Sequence, residues 1–553
     1  MKKKRIIIAL VGALLLFSSS NTFALARKDI PRNRPPESDR TREEGRKIYS
    51  KRCWYCHGEE GDGNGPVADF LDPRPTDFTP GIFKFTTTMS GELPTNDDLF
   101  RTISHGVRFT AMPTWEETLS EEERWKVMYF IKTFVPEYED VEFDPNKNKA
   151  LLVNYRDRLN KVKGRVDIKR GEEVYNEAKC FECHGENGRG NGRVELDQDD
   201  AWGFPISPRN LHKPWRYKAG AEPEEIFLRT ITGINGTPMP TFEEEFNDQD
   251  LWNVANFVAE KFQEPGQSDT VNFTAKEVAG ELPDDPNDPI WEDAEELRIP
   301  LSGQVVAAPR WQNHQIDLVM VKAIFNDTDI AFLFTYDDRF KDTEHKPELE
   351  IKERADKFFS NKELGDSYVR AQPDMEAGIP GRHVINNYRD SIAIQFPVKI
   401  PETREKPYFL RGMGKLVNLW VWKSDLQEQG KNPVEETNAK HFKKPMKVQP
   451  EASQNTTGKG VYEDGQWKVV MKRSLTTDDP RKDIQFEKGK LIPFALNAWD
   501  GTNGDHQLIM SLSAWSFVYL PIETPESVYF YGLLGIAIAG GIEFWLIRKS
   551  RSS

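Results

Sequence analysis

Residues 51–60 read KRCWYCHGEE, and residues 178–187 read AKCFECHGEN. Each holds two cysteines three positions apart with a histidine directly after: Cys53, Cys56 and His57, then Cys180, Cys183 and His184. The chain has 4 cysteines, so these two stretches use all of them. A second matched pair lies downstream. GVRFTAMPTWEE (106–117) contains Met112-Pro113, and GINGTPMPTFEE (233–244) contains Met239-Pro240; histidine to methionine is 55 residues in both copies. Cys53 to Cys180, Met112 to Met239 and Trp125 to Trp252 share one offset of 127 residues. Such self-similarity marks an internal repeat.

C-x-x-C-H is the pattern of covalent c-type haem attachment. Two thiols add to the porphyrin vinyl groups, and the adjacent histidine is held under the iron. Cys53, Cys56, Cys180 and Cys183 are therefore read as haem c attachment points, with His57 and His184 as proximal ligands. A structural zinc site would need further cysteine or histidine ligands near by. The Met-Pro loops supply distal ligands, Met112 and Met239, and His/Met ligation raises the potential of a haem. Each copy opens on a helical pattern, REEGRKIYSKRC or IKRGEEVYNEAKC, and closes on another, SEEERWKVMYFIKTF or NDQDLWNVANFVAEKF. Trp125, Met128, Tyr129 and Lys132 follow helical spacing, as do Trp252, Ala255, Asn256 and Ala259. Ser120 followed three residues later by Glu123 is a capping box. A helix before the haem, a helix after it and a methionine loop between them resemble class I cytochrome c over residues 40–140 and 165–263. That resemblance implies electron transfer. A dihaem peroxidase is the enzyme alternative, but it needs an openable sixth position, and each copy has its own methionine.

The ends of the chain set a compartment. Residues 1–26 have a basic start, an apolar run and the ending Ala24-Leu25-Ala26, as in a cleaved secretory signal. Residues 528–547, VYFYGLLGIAIAGGIEFWLI, are about as long as the ~20 apolar residues of a transmembrane helix. The basic flank RKSRSS is expected to stay cytoplasmic. The expectation is a single-pass protein with its bulk on the periplasmic side. Its formal net charge is −14, or −18 without residues 1–26. That balance argues against nucleic acid, whose phosphates need a basic surface, and suits docking to basic protein patches.

After residue 263 the pattern changes. AGELPDDPNDPIWEDA (279–294) reads as linker and domain entry. Period-two runs follow: QIDLVMVKAIFND, DIAFLFTYDD, DSIAIQFPVKI, KLVNLWVWKSD, GQWKVVMKR, LIPFALNAWDG and HQLIMSLSAWSFVYLPIE. Such runs between turn residues predict an antiparallel β-sandwich over residues 280–524. The expected fold is thus multidomain: two all-α modules, an all-β sandwich and one C-terminal transmembrane helix. Trp420 and Trp422 could face a porphyrin, a sugar or the core.

DPIWEDAEELRIPL (288–301) resembles the start of a carbohydrate-binding module of the family 9 type. DSIAIQFP, FLRGMGKLVNLWVWKSD and AWDGTNGDHQLIMSLSAW together resemble the haem b domain of the ethylbenzene dehydrogenase γ subunit. That resemblance implies an electron-transfer subunit of a type II DMSO-reductase-family molybdoenzyme, a group that includes nitrite oxidoreductase. Its partners would be the catalytic and iron-sulfur subunits, with soluble or membrane cytochromes beyond. In that family haem b is held non-covalently by a methionine and usually a lysine. The methionine corresponds to Met413. The segment Trp499 to Trp515, where the lysine is expected, has none. Met510 stands near that place, with His506 as alternative and Lys423 as a further candidate. Otherwise the sandwich is a haem-free module that binds a sugar or a protein. The cofactor set expected is two haem c and one haem b.

Overall fold

The computed structural model describes residues 34–68, 71, 73–192, 198–204, 206–305, 314–345, 388–402, 414–441, 446–522 and 526–552. The proposed signal, residues 1–26, and Met413 lie outside the described residues. The chain divides into two compact units that meet at Glu264 and Pro265.

The first unit holds both repeats. In the first, α1 (Asp39–Arg52) leads into the short α2 (Trp54–His57), then α3 (Asn96–His105) and α4 (Glu121–Ile131). A connecting helix α5 (Tyr155–Val162) precedes the second copy: α6 (Ile168–Glu177), α7 (Cys180–His184), α8 (Pro223–Thr232) and α9 (Asp248–Phe257). The capping box at Ser120 forms, with the Ser120 side chain accepting from Glu123 N and the Glu123 side chain accepting from Ser120 N. α4 ends one residue before Lys132, which continues in a 3-10 turn, and α9 passes into a π turn, Val258–Phe262.

The first and last helices of each copy cross at a glycine. A Cβ on Gly45 would lie 1.9 Å from Lys126 O, and one on Gly171 would lie 2.3 Å from Asn253 O. Only hydrogen fits there, so backbones touch and the tryptophans behind them are buried. Trp125 stacks on Phe100 at 4.0 Å between ring centroids; its counterpart Trp252 meets Phe227 edge-on at 5.7 Å. The repeat carries one insertion. Tyr49 precedes Cys53 by four residues and Tyr175 precedes Cys180 by five. Lys179, in the left-handed region at φ 54°, takes up the extra residue. Both tyrosines still donate to the same carbonyl, Gly58 O at 2.7 Å and Gly185 O at 2.8 Å.

The second unit is a β-sandwich. Its strands are β1 (Asn272–Thr274), β2 (Lys276–Glu277), β3 (Leu297–Gly303), β4 (Leu318–Phe325), β5 (Asp329–Asp337), β6 (Ser391–Pro397), β7 (Val417–Lys423), β8 (Val434–Ala439), β9 (Lys447–Val448), β10 (Thr457–Glu463), β11 (Gln466–Ser474), β12 (Leu491–Trp499), β13 (Ser511–Ser513) and β14 (Ser516–Tyr519). The order is β10-β11-β5-β4-β3-β13-β12-β6-β7-β8-β9, with β1 and β2 adding short parallel pairings to β14 and β4. β3 pairs with both β4 and β13 and so joins the two layers. Between them lies a core that includes Val321, Phe332, Phe334, Ile394, Trp420, Trp422, Met471 and Phe494. Of the three environments open to Trp420 and Trp422, the structure selects the core.

Residues 279–294, read as linker and domain entry, pack on the sandwich: Leu282, Trp291 and Ala294 lie on Ile324, Leu333 and Val470, covering the outer face of the β4–β5–β11 layer. The other layer is covered on its outer face too. Every residue of β6 is buried, because a second apolar cluster of Ala393, Leu419, Val421, Ala495, Met510 and Trp515 lies on its outer face. Alternation of side chains is kept, but both faces exclude water.

Beyond the sandwich, the helix Glu526–Ser552 contains the predicted 528–547 segment. Its side chains Leu533, Ile536, Phe544 and Trp545 are exposed. Among the described residues no helix is long and apolar enough to cross a membrane.

Candidate haem sites

The first C-x-x-C-H motif sits on α2, tethered to the end of α1 through the Cys53 N–H to Tyr49 O bond. Cys53, Cys56, His57 and Met112 line one open cleft. Its walls are apolar: Phe78, Phe83, Leu99, Ile103, Val127 and Ile131 all take part. The sequence separates His57 from Met112 by 55 residues, and the fold brings both to the same cavity. None of the four cysteines is in a disulfide. Burial pushes the Cys53 and Cys180 thiols up to about 12.

Each histidine is fixed by its other ring nitrogen. His57 Nδ1 stands 3.0 Å from Thr76 O, and His184 Nδ1 stands 2.8 Å from Arg209 O. A carbonyl can only accept, so Nδ1 carries the proton and Nε2 keeps its lone pair for a metal. Burial holds both imidazoles below the usual histidine range, opposed in part by those carbonyls. Phe78 stacks on His57 at 4.5 Å between ring centroids and fixes its plane.

The methionine loops are built alike. Val107 N donates to Met112 O and Ile234 N to Met239 O, both at 3.1 Å. Met112 N donates to Thr110 Oγ1 at 3.1 Å, and Met239 N to Thr237 Oγ1 at 3.2 Å. Thr114 and Thr241 donate to Ser104 O and Ile231 O. Gly106 and Gly233 start the loops at φ 66° and 64°, and a Cβ would come within 2.6 Å of Met112 O and 2.9 Å of Met239 O. These glycines and the tyrosines Tyr49 and Tyr175 escaped the sequence reading, whereas the threonines flanking each methionine belong to the motif. The glycines share the 127-residue offset, which is the signal that could have found them. The Thr76 and Arg209 carbonyls are backbone atoms and left no such trace.

The two copies meet at the cleft mouth. Lys218 of the second copy lines the first copy's cleft. Arg216 lies 5.0 Å over the Phe109 ring, and Arg74 lies 5.2 Å over Phe204. Lys84 pairs with Asp200 at 3.2 Å, and Arg229 donates to Thr86 O at 2.8 Å. The segment that carries the Arg209 carbonyl behind His184 thus also reaches the first cleft.

In the sandwich, Met510 is fully buried on the outer face of the β6–β7–β12 layer. Gln395 and Asn497 share that face: Gln395 is in register with Leu419 and Ala495, and Asn497 with Ala393. Both amides are buried with no hydrogen-bond partner among the described residues. Ala393, Ala439 and Ala495 leave the face low around them. Orphaned polar groups on an apolar floor beside a thioether fit a porphyrin, which brings both apolar surface and polar edges. His506 is elsewhere on the same loop, stacked on Tyr388 at 4.3 Å with Nδ1 2.8 Å from Gly504 O. Lys423 pairs with Glu435, and burial lowers its pKa. Of the haem b candidates, only Met510 is placed in the apolar cluster among the described residues.

Both units match known families. Residues 40–131 and 166–258 match the family of cytochrome c oxidase, cbb3-type, subunit III. Residues 288–451 and 443–511 match the ethylbenzene dehydrogenase family. The chain unites two cytochrome c domains with an ethylbenzene dehydrogenase-type domain. This cytochrome is 27% identical over 154 residues to a putative respiratory nitrate reductase haem subunit of Haloferax mediterranei, a match covering 27% of this chain and 51% of that protein. It thus spans about half the length of that curated relative. A reducing HAO-like protein complex of Kuenenia stuttgartiensis contains a chain 39% identical, with 40% of this chain and 96% of that one covered at a TM-score of 0.36. A family 9 carbohydrate-binding module of Caldicellulosiruptor kristjanssonii, solved with glucose, is 8% identical over 46% of this chain and 97% of its own, at a TM-score of 0.24. The cytochrome domains imply covalently bound haem c, and the protein is a haem-bearing electron-transfer cytochrome.

Proposed function

We propose that this cytochrome carries two haem c and one haem b and passes electrons as the γ-type subunit of a molybdoenzyme complex of the nitrite oxidoreductase or nitrate reductase kind. The observation that carries the reading is the doubled constellation of two thiols, a tautomer-fixed histidine and a looped methionine, with the second copy reaching the first copy's cleft. The name of the Haloferax relative, a haem subunit of a respiratory nitrate reductase, supports the complex.

Bound haem supplies one-electron chemistry at its iron. Cys53 and Cys56 would hold the first by thioether bonds, and His57 Nε2 and Met112 would bind its iron. Cys180, Cys183, His184 and Met239 would hold the second. Met510 would hold haem b, with Met413 as its partner. The protein's own work is positional: Thr76 O and Arg209 O lock the tautomers, the apolar walls exclude water, and Lys218 sets positive charge at the first cleft. The acidic surface suits docking to basic partner patches. The reading places the body in the periplasm, exported by residues 1–26, with the exposed apolar side chains of Glu526–Ser552 in the membrane.

A pyridine haemochrome spectrum of purified protein, with acid-acetone extraction, tests the cofactor set. Two haem c and one extractable haem b per chain are expected. Two haem c with no haem b, under ample haem supply, would make the sandwich a docking module and remove the link to molybdoenzymes. Deleting residues 526–553 is expected to move the protein from the membrane to the soluble fraction; a deletion variant that stays with the membrane rejects the anchor.

A further inference from the structure

The two methionine loops repeat their internal hydrogen bonds but differ where they face the neighbouring copy. At the shared offset of 127 residues, Thr102, Arg108 and Phe109 of the first copy stand where the second has Arg229, Asn235 and Gly236. All of the latter meet one segment of the first copy, residues 82–92. Arg229 of α8 donates to Thr86 O at 2.8 Å in a buried contact. Its counterpart Thr102 donates to Asp98 O inside its own helix. Asn235 Oδ1 accepts from Gly91 N at 3.0 Å, and Asn235 Nδ2 donates to Glu92 O at 3.4 Å. Gly236 lies so close to the first copy that a Cβ would stand 2.7 Å from Ile82 Cγ2. Phe109 takes the same left-handed backbone, φ 53° against 72° for Gly236, but is 47% exposed with Arg216 over its ring. The residues that repeat build each loop; those that do not repeat fit the second loop onto the first copy.

Segment 82–92 is itself fixed along its length. Phe83, Lys84 and Phe85 line the first cleft. Lys84 pairs with Asp200 and lies 5.0 Å over the Trp202 ring. Met89 N donates to Leu151 O at 2.9 Å and Val153 N to Thr87 O at 3.2 Å, which ties the segment to the chain leading from one copy to the next. One stretch of backbone is thus both a wall of the first cleft and a seat for the second methionine loop. Fixing a loop at its base, through Arg229, and near its tip, through Asn235 and Gly236, removes the open conformations in which a methionine leaves its metal.

We propose that the first copy positions the second copy's ligand: Ile82 and the backbone of Thr86, Gly91 and Glu92, acting through Arg229, Asn235 and Gly236, hold the Met239 loop closed and make Met239 harder to displace by an outside ligand. These are positioning groups, and none of them binds iron. Met112, whose loop carries the half-exposed Phe109 at the matching place, lies outside this hold. The inference rests on the reading of Met239 as an axial ligand and adds which residues keep it in place.

Full-length, haem-loaded protein carrying Met112→Ala isolates the Met239 signal, read as the far-red iron–thioether absorption band during titration with imidazole. Asn235→Ala, added to that protein, is expected to release Met239 at roughly two- to tenfold lower imidazole, the range that the loss of one or two ordinary hydrogen bonds gives. Ile82→Ala, a change in the first copy, moves the midpoint the same way. Asn235→Asp keeps an acceptor for Gly91 N and restores most of the midpoint. In the reciprocal Met239→Ala protein, which reads Met112, Asn235→Ala leaves the midpoint in place. Unchanged Met239 midpoints in both Asn235→Ala and Ile82→Ala overturn the proposal. An equal fall at Met112 in Asn235→Ala overturns it too, because it reports a general loosening of the unit. Should Ile82→Ala fail to mature, the two Asn235 variants decide alone. Absence of the band from Met112→Ala before imidazole is added, with two haem c bound, overturns the ligand reading and this inference with it; the untitrated spectrum tells that case from the others.

Discussion

Single atoms decide what the histidines and methionines can do. The Thr76 and Arg209 carbonyls set which imidazole nitrogen is free, and Gly106 and Gly233 let the chain turn tightly enough to present a thioether. Met112→Ala is expected to remove one low-spin His/Met signal and lower the potential of the first haem only, and Met239→Ala to do the same for the second. Absorption and paramagnetic resonance spectra with redox titration check this, and native spectra in both variants would reject the distal ligands. The matched loops of Met112 and Met239 were legible in sequence because two methionines at one offset, each before proline, are a pattern. Met510 was legible only as a guess: its apolar partners come from β6, β7, β8 and β12 and are scattered along the chain.

At the scale of elements, buried polar contacts join strands that sequence alone cannot pair. Arg473 of β11 and Glu436 of β8 meet at 3.3 Å with both side chains fully buried, so one ion pair crosses the sandwich core. Arg473 also lies 4.9 Å over the Trp420 ring and donates to Asn418 Oδ1 at 3.3 Å. Removing one partner strands a buried charge. Glu436→Ala is therefore expected to cost about 3–5 kcal/mol, while replacing both partners with apolar residues of similar volume costs far less. Chemical unfolding of the single and double variants measures the difference; equal losses would mean that the pair is not coupled. The helices show the converse case. Capping at Ser120 and the apolar spacing of α4 and α9 were readable, being local. α3 and α8, which carry Ser104 and Ile231 beneath the methionine loops, were not anticipated.

Across each compact unit, proximity is what matters. The first unit sets Lys218 of one copy at the cleft of the other. A nearby positive charge favours the reduced state of a haem. Lys218→Gln is expected to lower the potential of the first haem by roughly tens of millivolts and to leave the second in place; spectroelectrochemistry reads both, and an unmoved first potential would put Lys218 outside the haem's field. The sequence by itself determined the two C-x-x-C-H motifs with their matched Met-Pro loops, the repeat that relates them and the strand-rich second half. Those signals are local: a five-residue motif, a fixed offset, a period of two. Tertiary structure alone decided the rest. It placed Lys218 in a cleft 162 residues upstream of it in the chain, counted from Cys56. It turned Trp420 and Trp422 inward, laid residues 279–294 over a sheet, and gathered Asp338, Asp390 and Asp500 from three strand ends. Each of these depends on which surfaces pack against which, and packing partners distant in the chain share no local pattern that a single sequence displays.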